Sequence, residues 1–334
     1  MFYPKISIVT PTLNQGEFLE QTMCSVLDQN YPNLEYIVID GGSTDDTLKI
    51  LKKYEKHLKY WISEKDSGQS DAINKGLSRC AGDIFNWLNS DDYYEPGALL
   101  NVGRAFIDHP RVDVVCGRER AFDNADSSVV KIYQGTEIAK PIEELIYEGI
   151  IDQPPTFFRK SIVDALGRLP VQLHFTMDSY WWTLYLLTYG KKKVIKIDDI
   201  LTNFRLHDNS KGISRQDLFT NDRNVIRLAL ATTLHLPGFI TEYLSQHTTF
   251  EIDGLFEDLN ASDQVSLERL TEVFCRKIFP VAYYQRRYDS ARKAFLYYVR
   301  HNKGKEIATY QNFVYFLKLI LLPEFFVEWL RRGR

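Results

Sequence analysis

Cysteine is scarce in this chain, and the four present, Cys24, Cys80, Cys116 and Cys275, form no C-x-x-C pair. Their spacings match no disulfide or metal framework, so free buried thiols in a reducing compartment are expected. Long apolar runs are absent too. No stretch of 18 uninterrupted apolar residues occurs, and no membrane-spanning helix is expected. The opening "MFYPKISIVTPT" has no charged segment followed by an apolar one. No signal peptide is therefore expected, and the cytoplasm is the expected compartment. A G-x-G-x-x-G motif is missing, which leaves a dinucleotide site little support. Internal repeats and low-complexity linkers are also missing.

What is present is ordinary in bulk and uneven in detail. Hydrophobic residues make up 44% and charged residues 25% of 334 residues, as in soluble globular proteins. Aromatics reach 13%, with 20 Tyr and 20 Phe. Such residues serve cores and also sugar or interface contacts. Arg276–Arg334 holds 13 Lys/Arg against 4 Asp/Glu, net +9, which leaves −12 for Met1–Cys275. That asymmetry suggests a basic tail meeting an anionic surface.

The first 120 residues alternate between two periods. "KISIVT", "EYIVID", "KYWIS", "DIFNWL" and "VDVVCG" are short β-branched or aromatic runs. Helical segments lie between them, near Phe18–Leu27, Asp45–Tyr54, Ser70–Arg79 and Gly97–Asp108. This alternation predicts an α/β fold with a mainly parallel central sheet flanked by helices. From Tyr133 to Leu206 the pattern is mixed, with a Pro-rich loop, a helix near Ser179–Tyr189 and strands near Lys193–Ile197 and Ile200–Phe204. From residue 215 on it is mostly helical. The predicted organisation is 1–214, split into 1–120 and 121–214, followed by a helical C-terminal region, 215–334.

In a parallel sheet, ligands sit at the carboxyl ends of strands. Polar residues gather at four such ends. "TPTLNQGEF" follows the first strand, which Pro11 is expected to stop. This end reads as a strand-to-helix turn, or as a backbone shelf for a nucleotide. "IDGGSTDDT" follows the second. Ser43 and Thr44 are good helix caps and Asp45 and Asp46 suit a helix dipole, so these four need no ligand. Asp40 is not explained that way, and its carboxylate could accept a base N–H or a ribose hydroxyl. "SEKDSGQSDAINKG" follows the third and holds Asp66, Gly68, Gln69 and Asp71. "NWLNSDDYYEPG" closes the fourth. Asn89, Asp91 and Asp92 there form either an acidic turn before a helix near Pro96, or a site for a hard cation, which prefers oxygen ligands.

As a set, in order and spacing, these four strand ends resemble family 2 glycosyltransferases of GT-A fold, over about the first 120 residues. The resemblance implies transfer of a sugar from a nucleotide diphosphate donor, with inversion, to a hydroxyl of a glycan or lipid-linked glycan. It implies Mn2+ or Mg2+ as cofactor and a UDP-sugar as donor. The family's D-x-D motif falls on Asn89-Ser90-Asp91, with Asn in the first position. Asp91 is then the direct metal ligand, and Asp92 supports it or touches the sugar. The catalytic carboxylate falls in "FTMDSYWWTLYL", with Asp178 as general base, Trp182 in place and Met177 where Glu is usual. "NFRLHDNSKGISRQ" resembles a loop that closes on the diphosphate, with His207 as a metal ligand and Lys211 neutralising phosphate. "DQPPTFFRK" resembles an acceptor-side segment that brings in Gln153. Nucleotide contacts are expected from Pro11, Thr12, Asp40, Asp66, Gly68, Ser90 and Lys211. Sugar or acceptor contacts are expected from Gln69, Asp71, Asn89, Asp92, Gln153 and Trp182.

The tail "NFVYFLKLILLPEFFVEWLRRGR" is interrupted at Lys318 and Pro323. It reads either as a helix packed on the domain or a second subunit of a homo-oligomer, or as an interfacial helix on the cytoplasmic face of an anionic membrane. No nucleic-acid partner is expected. Two rival readings stay open. A nucleotidyltransferase forming NDP-sugars would share the sheet, but "TPTLNQGEF" lacks the basic residues of its phosphate loop. A non-catalytic nucleotide- or glycan-binding subunit would suit the departures at Asn89 and Met177.

Overall fold

The computed structural model describes residues 3–207, 216–301 and 314. The elements follow in chain order: β1 Ile6–Thr12, α1 Leu19–Leu27, β2 Leu34–Asp40, α2 Thr47–Tyr54, β3 Tyr60–Ser63, α3 Gln69–Leu77 and β4 Ile84–Trp87. Next come β5 Tyr93–Tyr94, α4 Ala98–Asp108, β6 Val114–Asp123, β7 Val129–Tyr133, α5 Ile142–Glu148, β8 Thr156–Arg159 and α6 Lys160–Leu166. The remainder is α7 Met177–Tyr189, β9 Val194–Leu206, α8 Gln216–Thr233, α9 Gly238–Ser245, α10 Leu267–Tyr284 and α11 Tyr288–His301.

The strands form one sheet in the order β3-β2-β1-β4-β8-β6-β9-β5, with β7 paired to the later part of β6, beyond its pairing with β8. β3, β2, β1 and β4 are parallel neighbours, as the alternating sequence predicts. The sheet is mixed beyond them. β8 lies between β4 and β6 and is antiparallel to both, so "VDVVCG" does not extend the parallel series. β6 and β9 then pair in parallel. The two strands expected over 193–204 are one strand, whose register against β6 shifts near Arg118.

Every residue of β1 is buried, because helices cover both faces. Ile6 and Ile8 point into a core shared with Leu19 and Met23 of α1 and Leu99 and Val102 of α4. Val9 points the other way, into a core with Ile73 of α3 and Trp181 of α7. That second core continues through Phe274 of α10 and Phe295 of α11, so the C-terminal helices share it. The expected division at 214/215 falls outside the described residues. α7 is buried on all sides, as its Tyr/Trp/Leu composition requires.

Pro11 does not stop β1, contrary to expectation. It pairs in register with Ile39, and the strand runs on to Thr12. Val9 O accepts the Leu88 N–H, while Thr12 O accepts the Gly41 N–H. Alternate residues face alternate neighbours, so Pro11 turns its missing donor toward β4, whose pairing with β1 ends at Val9. No ladder bond is lost. The chain goes from β1 to β2 and β3 on one side and returns to β4 on the other. A crevice therefore opens between the carboxyl ends of β1 and β4.

Candidate active site

A cleft of about 530 Å³ occupies that crevice and extends toward β6 and α7. Pro11, Thr12, Asp66, Gly68, Gln69, Asn89, Ser90, Asp91, Gln153 and Asp178 all line it, although they come from five separate segments.

The β1 and β3 ends form one wall. Gly41 has no side chain, and a Cβ there would meet the Asp66 carboxylate at 2.8 Å. That close approach seats the 64–68 loop on the end of β2. Asp66 Oδ1 then accepts the Gly68 N–H at 2.9 Å. Gly68 adopts φ +109°, which favours glycine, and begins α3. Ser70 lies inside the helix and donates to Leu173 O at 2.7 Å. Thr12 Oγ1 is buried with no hydrogen-bond partner among the described residues.

The β4 end forms the floor. Asn89 accepts from Gln69 Nε2 at 2.8 Å and donates to Asp92 Oδ2 at 3.3 Å. An aspartate at position 89 could not make that second bond. Asp91 Oδ2 reaches His207 Nε2, just beyond β9, at 3.2 Å. Arg205 binds this loop. Its backbone N–H donates to Asp92 Oδ1 at 3.1 Å and its Nε to Asp91 O at 2.8 Å. The guanidinium also donates to Asn124 and Gln21, both at 2.6 Å, and lies over the Phe18 ring. Burial, with Asp91 and Glu119 nearby, pushes the Asp92 carboxyl well above the usual carboxylate range.

Asp178 stands opposite, in the first turn of α7. Burial raises its pKa to about 6, opposed by the Ser179 N–H and by nearby Arg223. The loop before α7 is held by α8, because Asp222 Oδ2 accepts the His174 and Phe175 N–H groups at 3.1 and 3.0 Å. The C-terminal region thus positions the candidate base.

Four expected contacts are placed otherwise. Trp182 is fully buried and stacks on Tyr185 at 5.6 Å, inside the core instead of the cleft. Trp182 follows Asp178 by four residues on the same face of α7, about 6 Å further along the helix axis, where the face has passed from the cleft into the core. Asp40 is also fully buried and off the cleft wall. Its carboxylate accepts from the Ser43 N–H and hydroxyl and from Ser63 Oγ. Ser43 is therefore a partner of Asp40, and the helix expected to open there starts at Thr47. Asp71 faces Lys75 and the Ser67 N–H outside the cleft. Asp92 is buried beneath the cleft and holds the loop, so it does not face a ligand. Gln153 does line the cleft, but its amide donates to Asn86 Oδ1 and Trp87 O, both at 2.8 Å. Lys211 lies outside the described residues.

Glu119, Asp152 and Phe219 are among the lining residues that escaped the sequence reading. Glu119 sits between two arginines in "GRERAF", a strand with charges on both faces, and that was the available signal. Asp222 and Arg205 carried none, since each acts through a backbone partner far away in sequence.

The pair Asp91 and His207 was tested as a cation site. Among the described residues no group of three or more His, Cys, Asp or Glu could hold a metal alone. Asp91 lines the cleft and the nearly buried His207 imidazole lies against it; a carboxylate and an imidazole so placed nevertheless suit Mg2+ or Mn2+, which take few protein ligands and complete their shell with phosphate and water. The donor set fits.

Comparison with known proteins agrees with this geometry. Residues 7–167 match the model described as Glycosyl transferase family 2. That segment, just under half of the chain, is therefore similar to a domain of that family. An uncharacterised glycosyltransferase of Rickettsia typhi is 27% identical over 219 residues, 62% of this chain and 65% of that protein. The chain thus spans less than two thirds of that relative's length. S. aureus TarS 1–349 in complex with UDP-GlcNAc has a similar fold, with TM-score 0.54, 17% identity, and 99% and 92% of the two chains covered. The mannosyltransferase PcManGT of Pyrobaculum calidifontis, in complex with GDP-Man and Mn2+, gives TM-score 0.51, 15% identity, and 92% and 77% coverage. The fold is that of these GT-A enzymes. Among the described residues no helix is long and apolar enough to cross a membrane.

Proposed function

We propose that the protein transfers a sugar from a UDP-sugar to a hydroxyl of a glycan or lipid-linked glycan, with inversion and with Mg2+ or Mn2+. The observation that carries this reading is Asp178. A carboxylate with its pKa raised to about 6 lines the same cleft as Asp91 and Asn89. A base poised near neutral pH removes a hydroxyl proton while staying ionised enough to act.

In this mechanism Pro11, Thr12, Asp66 and Gly68 hold the nucleoside at the β1 end. Gln69 and Asn89 orient the sugar, so that its anomeric carbon faces Asp178 across the cleft. Asp178 accepts the acceptor's proton as the hydroxyl oxygen attacks and the diphosphate leaves from the opposite face. Asp91 and His207 would hold the cation. When bound, the cation offsets the charge that grows on the leaving diphosphate. Arg205 keeps Asp91 in place through its backbone oxygen.

Among donors, TarS in complex with UDP-GlcNAc favours uridine, and PcManGT with GDP-Man supplies the alternative to test. A thermal-shift panel of UDP-, GDP- and dTDP-sugars, with and without Mn2+, tests the donor and the metal together. A shift for UDP-sugars that needs Mn2+ is expected. The anomeric configuration of the product, read by NMR, tests inversion. Release of pyrophosphate from a nucleoside triphosphate would favour a nucleotidyltransferase instead. Association of the C-terminal tail with an anionic membrane, or with a second subunit, rests on sequence outside the described residues; vesicle flotation of the full chain separates the two.

A further inference from the structure

We propose that Glu119 is an acceptor-binding residue, whose carboxyl group in its neutral form donates a hydrogen bond to a hydroxyl of the acceptor sugar. This rests on the glycosyltransferase reading and adds a residue that selects the acceptor.

Position comes first. The nucleotide end of the cleft lies over β1 and β3, and the cation pair lies beyond β4. Glu119 is on β6, two strands further across the sheet, where the acceptor must enter to reach Asp178. It lines the cleft and is only 5% exposed.

Chemistry comes second. Strand pairing sets Glu119 beside Thr202 of β9 and Tyr133 of β7. Thr202 Oγ1 donates to its Oε2 at 3.2 Å. Asp152, before β8, and Asp92, between β4 and β5, are the charged groups turned toward it, and both are acidic. Lys131 of β7 and Lys196 of β9 act on Asp152. Burial and Asp152 together push the Glu119 carboxyl up to about 8. Near neutral pH it therefore carries a proton, which it can donate into the cleft. A buried acid aimed at solvent alone would gain nothing from that proton. A sugar hydroxyl, which both accepts and donates, satisfies it. Above about pH 8 the proton is lost, and Glu119 can no longer donate into the cleft.

The test uses the full chain, Mn2+, the sugar nucleotide that shifts its melting, and p-nitrophenyl glycosides of glucose, galactose and N-acetylglucosamine as acceptors. Glu119→Leu is expected to raise the acceptor KM about tenfold. Glu119→Gln, which still donates, should stay within about threefold of wild type and lose the fall in kcat/KM above about pH 8. Equal donor-induced melting shifts in all three proteins establish that the effect is on the acceptor. An unchanged acceptor KM in Glu119→Leu, an alkaline limb kept by Glu119→Gln, or no transfer to any of these glycosides would each overturn the proposal. Absence of a melting shift with every sugar nucleotide in wild type would overturn the glycosyltransferase reading itself.

Discussion

Asp91 Oδ2 lies 3.2 Å from His207 Nε2, although 116 residues separate them. One follows β4 and the other follows β9, and the antiparallel contact of β5 with β9 brings the two ends together. Removing either ligand should weaken the cation before it affects the nucleoside. Asp91→Ala is expected to lower activity at least about a hundredfold, and His207→Ala to raise the Mn2+ requirement about tenfold. Activity titrated against Mn2+ checks both. Equal Mn2+ curves for His207→Ala and wild type would remove His207 from the site.

Arg205 fixes the same loop with a planar fork that lysine cannot reproduce. Arg205→Lys should preserve folding but weaken Mn2+ activation by about tenfold, because Asp91 loses its anchor. Circular dichroism together with a Mn2+ titration separates the two effects.

The pH profile should show the base. Asp178 must be ionised to accept a proton, and its pKa is about 6. Activity is therefore expected to be low below that pH and to rise through it. Asp178→Asn should lose at least about a thousandfold and show no such limb. A stopped assay of sugar transfer between pH 5 and 7 measures this, and near-normal turnover of the asparagine variant would rule out the assignment.

Asn86 joins β4 to the loop before β8. Its Nδ2 donates to Pro154 O at 2.8 Å and to Tyr94 Oη at 3.1 Å, and its Oδ1 accepts from Gln153. Asn86→Ala leaves several buried groups unpaired and should cost about 2–3 kcal/mol. Urea unfolding of the variant and wild type gives that difference directly.

The parallel core was legible in the sequence because strands buried on both faces must be apolar throughout, and their ends must carry the polar residues. Asp66, Asn89 and Asp91 were singled out by that route, and Asp178, on a helix, only by the family resemblance. Trp182 was misplaced because the i, i+4 spacing puts it on the same face of α7 as Asp178 but does not tell how far along the helix the cleft extends. Asp40 was misplaced because a carboxylate at a strand end looks alike whether it faces a ligand or a neighbouring turn. The antiparallel insertion of β8 left no local mark, since "TFFR" pairs equally well in either direction.

The sequence by itself determined the alternation of strand and helix in the first half, its parallel sheet, the polar strand ends and the family resemblance. Local periodicity and turn residues carry that information within a few positions. The tertiary structure decided which carboxylates face the cleft, that Glu119 and Asp152 share it, and that α8 holds the loop before Asp178. Those relations join residues tens to over a hundred positions apart, and burial and charge at such a site exist only once the chain has closed around it.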